Sequence, residues 1–236
     1  KRPLNLGSHV GLALTDRRML DGQGSGSTLS LDSRYRFNDT YQIEFQTVFS
    51  HTLEPNNSDL LSSDIVFGEG YTKTFDGESF TGDAMELELS RRTEHWNLEL
   101  GYDHRSPTFR ADNGFITENN QRSLYLMSFW NYFSEGFFSE VTGGFRTGIE
   151  PNFQGQMKTR YYLVMSNLVI PRQTRIHLMY ARRPLYRFKN TNLYDTWDAV
   201  MRINSNFNKR ISFGGSIGRH LAPIRFLEIP TEGWAS

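Results

Sequence analysis

Cysteine is absent from the 236 residues. Its absence excludes a disulfide framework and thiol-ligated zinc and leaves the compartment open. Net charge is absent as well: 26 acidic residues balance 26 basic ones. No electrostatic case therefore exists for nucleic acid, which is not expected as a partner. Long apolar runs are missing, since "YYLVM" (161–165) is among the longest, against the ~18 residues that a membrane helix needs. The start, "KRPLNLGSHV", lacks the sustained apolar region of a signal peptide, so the chain reads as a mature product or an excised part of one. P-loop and dinucleotide fingerprints are missing too; "GQGSGS" (22–27) lacks a strand–turn–helix context. The six histidines have no ligand spacing. No cofactor and no metal ligand is expected. Helical periodicity is nearly absent.

What fills the chain instead is period-2 alternation, with aromatics at 14% although hydrophobic residues are only 37%. The alternation predicts eleven strands, near 7–15, 27–37, 40–50, 82–92, 95–104, 121–133, 137–149, 157–170, 174–183, 195–205 and 210–219. Successive side chains of a strand point to opposite faces. Tyr41, Ile43, Phe45 and Phe49 therefore share one face, and Gln42, Glu44, Gln46 and Ser50 the other. In the same way Leu29, Leu31, Tyr35 and Phe37 oppose Ser30, Asp32, Arg34 and Arg36. Met85, Leu87 and Leu89 oppose Glu86, Glu88 and Ser90, and Trp96, Leu98 and Leu100 oppose Asn97 and Glu99. Near 195–205, Trp197, Ala199, Met201 and Ile203 oppose Asp198, Arg202 and Asn204.

The connections carry a second pattern. Asn38-Asp39, Thr93-Glu94, Ser134-Glu135-Gly136, Pro171-Arg172-Gln173 and 206–209 are tight, polar turns. Between them lie longer connections near 16–26, 51–81, 105–120, 150–156 and 184–194. Strict alternation of short and long connections is the habit of a transmembrane β-barrel, with short periplasmic turns and long extracellular loops. The expected fold is thus all-β, a single antiparallel up-and-down barrel domain over 1–236. Its odd strand count points to a portion of a larger, even-stranded barrel.

Aromatics gather at the short turns, most densely in "SFWNYFSEGFFSEV" (128–141). Rings prefer the membrane–water interface, where an apolar body meets a polar rim. Tyr35, Phe37, Tyr41, Trp96, Trp130, Tyr132, Phe133, Phe137 and Phe138 are accordingly expected at the interface beside these turns. A lipid-facing Arg or Lys near the midplane costs about 2–4 kcal/mol, so the polar faces must line the lumen. Lumen candidates are Arg34, Arg36, Gln42, Glu44, Gln46, Glu86, Glu88, Asn97, Glu99, Arg146, Lys158, Arg160, Arg175 and Arg202. Acidic members fall in the third to fifth strands and basic ones mostly later, which predicts a transverse field across a wet lumen.

Other constellations carry less. "YDHRSP" brings Asp103, His104 and Ser106 together in sequence, but neighbouring strand residues face opposite ways, and Ser106-Pro107 reads as a turn. The loop 51–81 holds Glu54, Asn56, Asn57, Asp59 and Asp64, oxygen ligands of a kind that calcium takes, yet not at EF-hand spacing, so a solvated loop is expected. Arg182, Arg183, Arg187 and Lys189 are candidates for lipopolysaccharide phosphates.

Two stretches resemble a known family. "WNLELGYDHRSPTFRADNGFI" (96–116) has Tyr-x-x-x-Ser-Pro followed by Phe-Arg-Ala-Asp-x-Gly-Phe-Ile, and "HVGLALTDRR" (9–18) has Gly-x-x-x-Thr-Asp-Arg. With "FDGESFTGDAMELELSRRTEHW" between them, this resembles the C-terminal barrel region of the DUF5916 family of bacterial envelope proteins. The resemblance covers the first half best. It implies an outer-membrane barrel, a bilayer and lipopolysaccharide as partners with other envelope proteins beside them, and an N-terminal carbohydrate-binding-like module outside this chain. The expected function is that of a channel, transport component or membrane scaffold for polar or saccharide-like solutes, without enzymatic activity. Two alternatives stay open: a secreted β-sandwich that binds glycans, and a barrel-type hydrolase.

Overall fold

A computed structural model describes residues 2–3, 7–20, 24–111, 118–188, 191–223 and 230–235. The strands are β1 (Arg2–Pro3), β2 (His9–Arg18), β3 (Ser25–Arg36), β4 (Tyr41–Leu53), β5 (Val66–Phe67), β6 (Tyr71–Thr72), β7 (Ser79–Arg91), β8 (Trp96–Arg105), β9 (Gln121–Phe133), β10 (Glu140–Pro151), β11 (Met157–Ile170), β12 (Thr174–Phe188), β13 (Thr191–Asn208), β14 (Ile211–Pro223) and β15 (Pro230–Ala235). Among the described residues no helix is long and apolar enough to cross a membrane. All eleven expected strands are present as β2–β4 and β7–β14. The short hairpin β5–β6 lies inside the longest loop, and β1 and β15 are added at the ends.

Thirteen strands form one antiparallel sheet in which each lies beside its neighbour in the chain, in the order β1-β2-β3-β4-β7-β8-β9-β10-β11-β12-β13-β14-β15. The all-β, up-and-down architecture read from the alternation therefore holds. Closure does not follow: among the described residues no pairing joins β1 to β15, and the sheet is not closed into a barrel. Among the described residues, β1 pairs with β2 through Arg2↔Val10 and Pro3↔His9.

Local chemistry explains the turns. Asn38 Oδ1 accepts from the N–H groups of Thr40 and Tyr41, both at 2.9 Å, and closes β3–β4. Asn208 Oδ1 does the same for Arg210 and Ile211 at 2.8 and 3.0 Å. Thr93 Oγ1 holds Trp96 between β7 and β8, and Ser134 Oγ accepts from Gly136 N–H at 2.9 Å between β9 and β10. These side chains replace ladder bonds with local ones, as Asx and Ser/Thr turns do. The β11–β12 turn instead places Arg172 and Gln173 at φ 66° and 53°, the left-handed pair of a tight hairpin.

The expected long loop at 184–194 is a correction. Here β12 runs to Phe188 and β13 starts at Thr191, with Phe188↔Thr191 and Leu185↔Tyr194 paired. Pro184 and the asparagines read as loop, but Pro184 interrupts the ladder at one position only. Pairing resumes beyond it, clamped by Arg182–Asp195 at 2.7 Å and Arg183–Asp198 at 2.5 Å.

Contacts divide the chain into two compact units. The first is Lys1–Leu89, Gly101–Ser123 and Pro151–Gln156; the second is Ser90–Leu100, Leu124–Glu150 and Met157–Ser236. Among the described residues of the first, Pro55, Phe80 and Phe109 are buried apolar side chains, while Ser8, Gln42, Ser50, Thr52, Glu54, Ser106, Ser123 and Asn152 are buried polar ones. In the second, Ala181 and Leu193 are buried beside Ser90, Ser128, Thr196 and Ser205. Large apolar side chains lie in the open in both: Leu12 and Leu14 at 70% and 73% exposure in the first, Val164 and Ile217 at 57% and 52% in the second. The ordinary sorting of residues is inverted in each unit.

Candidate functional site

The polar face of β3 and β4 is a connected set. Register sets Arg34 opposite Glu44, Arg36 opposite Gln42 and Asp32 opposite Gln46. Arg34 Nη2 donates to Glu44 Oε2 at 3.1 Å, and Gln42 Nε2 donates to Glu44 Oε1. Gln42 is buried, Arg34 and Glu44 are half-buried, and Arg36 and Gln46 are exposed. On β7, Glu86 is exposed and Glu88 half-buried.

A second set lies in the other unit. Half-buried Glu99 accepts from the Tyr125 hydroxyl at 2.9 Å, and the Arg146 guanidinium stacks over the Tyr125 ring at 4.6 Å. Half-buried Asn97 accepts from Thr93 N–H at 3.0 Å. Lys158 is half-buried; Arg160, Arg175 and Arg202 are exposed, Arg175 opposite Asn204 and Arg202 opposite His177. Charges are thus partly met by neighbours on the next strand. Glu44 answers Arg34 across the β3–β4 pair.

The aromatics expected beside the short turns are all exposed: Tyr35, Phe37, Tyr41, Trp96, Trp130, Tyr132, Phe133, Phe137 and Phe138. Phe137 and Phe138 belong to the turn rather than to a strand, with rings edge-to-face at 5.2 Å. Polar handles accompany the rings. Trp96 Nε1 donates to Ser128 Oγ at 2.9 Å, Arg91 lies 4.3 Å over the Trp96 ring, and Arg172 lies 3.9 Å over Phe207. Trp96 thus combines an open apolar body with a hydrogen bond at its indole N–H and a cation over its face, and Phe207 has a cation over its face.

The opposite end of the first unit is built differently. Residues 106–111, which follow β8, cross the polar face of β4 and β7. Arg110 N–H donates to Ser50 Oγ at 3.2 Å, and Ser50 Oγ donates to Gly82 O at 3.3 Å. Gly82 makes room for this strap, because a Cβ there would sit 2.4 Å from the Phe109 backbone. Arg110 Nη1 then reaches Glu54 Oε1 at 2.7 Å. Phe67, Tyr71 and Phe80 cluster beside it, with Phe80 5.3 and 5.2 Å from the other two ring centres. A cavity of about 760 Å³ opens between strap and loop, lined by Phe67, Phe75, Phe80, Phe109, Arg110 and Asn119 among others. Burial is the main cause that raises the Glu54 pKa above its ordinary value; Arg110 opposes it, and the charges of Glu78 and Asp76 add to it.

The residues weighed for hydrolysis do not assemble a relay. His104 Nε2 lies 2.6 Å from Asp83 Oδ2 and its Nδ1 3.1 Å from the Tyr102 hydroxyl. Ser106 Oγ accepts from Asp83 N–H at 2.8 Å, and no hydrogen bond joins Ser106 to His104. A nucleophile needs its base within hydrogen-bond reach. Of the calcium-type loop residues, only Glu54 joins a carboxylate group, and its companions are Asp76 and Glu78 rather than Asp59 or Asp64. Arg182 and Arg183 are engaged by Asp195 and Asp198. Lys189 and the 112–116 part of the resemblance lie outside the described residues. Sequence reasoning missed Asp76, Glu78, Asp83 and Arg110; Asp76-Gly77 reads as a turn signal, and nothing in spacing pairs Arg110 with Glu54, 56 positions away.

Fold and faces define a class: an all-β chain, mostly on one antiparallel up-and-down sheet, with many large apolar side chains in the open and mostly polar ones among its buried residues. No family model matches the chain, and no curated protein matches it.

Proposed function

We propose that this chain is an outer-membrane β-barrel protein, or part of one, of the kind the DUF5916 resemblance implies. Its apolar face contacts lipid and lipopolysaccharide, and its polar face lines the interior of a channel, transport component or scaffold for polar solutes. One observation carries the reading: the inversion of the faces. Fully burying a large apolar side chain is worth about 1.5–3 kcal/mol, so ten half-exposed ones forgo on the order of 10 kcal/mol in water. That equals the whole net stability of an ordinary domain. A hydrocarbon phase recovers it, and it accepts strands only when no edge is left unpaired. Closure is then completed by strands beyond this sheet or by pairing of its two edges.

The turn-end aromatics support the same reading, since rings with a wet edge suit the headgroup level. The secreted sandwich fits less well, because a sandwich buries apolar faces between two sheets, whereas one sheet carries these strands with Leu12, Leu14 and Phe49 in the open.

The test compares two substitutions on β4. Phe49 is 56% exposed opposite Leu29, and Gln46 is exposed on the polar face opposite Asp32. Phe49→Arg is expected to cost about 2–4 kcal/mol of stability in bilayers, and Gln46→Arg less than about 1 kcal/mol. Urea titration in lipid vesicles reads both. Equal costs, or a chain monomeric and folded without detergent, would sink the membrane reading.

A further inference from the structure

The two ends of the 54–78 connection run antiparallel. Glu54 N–H donates to Glu78 O at 2.9 Å, Asn57 N–H to Phe75 O at 2.8 Å, and Asn56 bridges Asp76. This sets three carboxylates together: Glu54, Asp76 and Glu78 each offer an oxygen within 4.8 Å of the others. Like charges so close repel, and exposed acids normally turn away from one another.

A second observation points to a ligand. The Glu54 side chain is only 2% exposed. Arg110 occupies Oε1, while Oε2 is buried and accepts no hydrogen bond. A buried carboxylate oxygen without a donor is costly, and an adjacent cation is what relieves it. The other two acids are held in position: Thr72 N–H donates to Glu78 Oε2 at 2.8 Å, and Thr72 Oγ1 to Asp76 Oδ2 at 3.4 Å.

We propose that Glu54, Asp76 and Glu78 bind a divalent cation, calcium in preference to magnesium, which ties together the two ends of this connection. Charge balance agrees: one divalent cation and the Arg110 guanidinium neutralise the three carboxylates. All three donors are hard oxygens, which suits calcium or magnesium rather than a soft metal. Magnesium usually takes one or two carboxylates in a strict octahedron, whereas calcium accepts more, in looser geometry completed by carbonyls and water. The site lies outside the strands and does not depend on where the sheet resides.

The experiment is calorimetric titration of the full chain, purified in detergent and stripped with chelator, using CaCl2 and then MgCl2. Wild type and Glu69→Gln, an exposed acid of the same loop, are expected to bind one calcium ion saturably and magnesium more weakly. Asp76→Asn, at an exposed position where the fold is expected to stay intact, is expected to weaken calcium by roughly tenfold or more, and Glu54→Gln to abolish binding. Wild type without saturable calcium binding, magnesium bound as tightly as calcium, or Asp76→Asn binding calcium like wild type would each overturn the assignment.

Discussion

Arg172 and Gln173 hold the β11–β12 turn with positive φ at two residues that carry side chains. A left-handed non-glycine residue costs about 1–2 kcal/mol. Arg172 recovers part of that over the Phe207 ring, 3.9 Å away, whereas Gln173 gains only an exposed amide bond with Asn206 at 3.3 Å. Gln173→Gly is therefore expected to stabilise the chain by about 1 kcal/mol, read as a higher urea midpoint. An unchanged or lower midpoint would mean that the turn is not strained at this residue.

At the scale of elements, the strap 106–111 depends on Gly82. A methyl group there meets the Phe109 backbone at 2.4 Å, and backbone cannot swing aside as a side-chain tip can. Gly82→Ala is expected to lift the strap and break the Arg110 N–H bond to Ser50. Trypsin should then cut after Arg110 several-fold faster than in wild type; an unchanged rate would show that the strap accommodates the methyl. The turns have a topology to declare as well. With short turns on the periplasmic side, cysteine at Ser58, in the connection before β5, should label in intact cells with a membrane-impermeant reagent. Cysteine at Glu135, in the β9–β10 turn, should stay unlabelled. The reverse pattern would refute the proposed orientation.

For the whole molecule, the open quantity is the interior. In the proposed barrel the strap lies over the polar face at the loop end of β4 and β7 and narrows that side of the passage. Planar-bilayer recording of the complete protein is expected to give channel events, larger in Gly82→Ala than in wild type. No events from either protein would exclude the open channel and leave the scaffold role.

The amino-acid sequence by itself determined the strands and the tight turns, because both are local. Alternation of Tyr41, Ile43, Phe45 with Gln42, Glu44, Gln46 needs no partner to be read, and Asn38 or Asn208 closes a turn with its own side chain. The turn-end aromatics were legible for the same reason: proximity to a turn is proximity in sequence. Only the tertiary structure decided that β12 and β13 pair through to Phe188 and Thr191, past Pro184, since a ladder gains from the partner strand what local propensity opposes. Only it brought Arg110 across Ser50 to Glu54, and Glu54 beside Asp76 and Glu78. Those contacts join loops 20 to 60 positions apart, and side chains at such separations meet only where the backbone between them has already been folded.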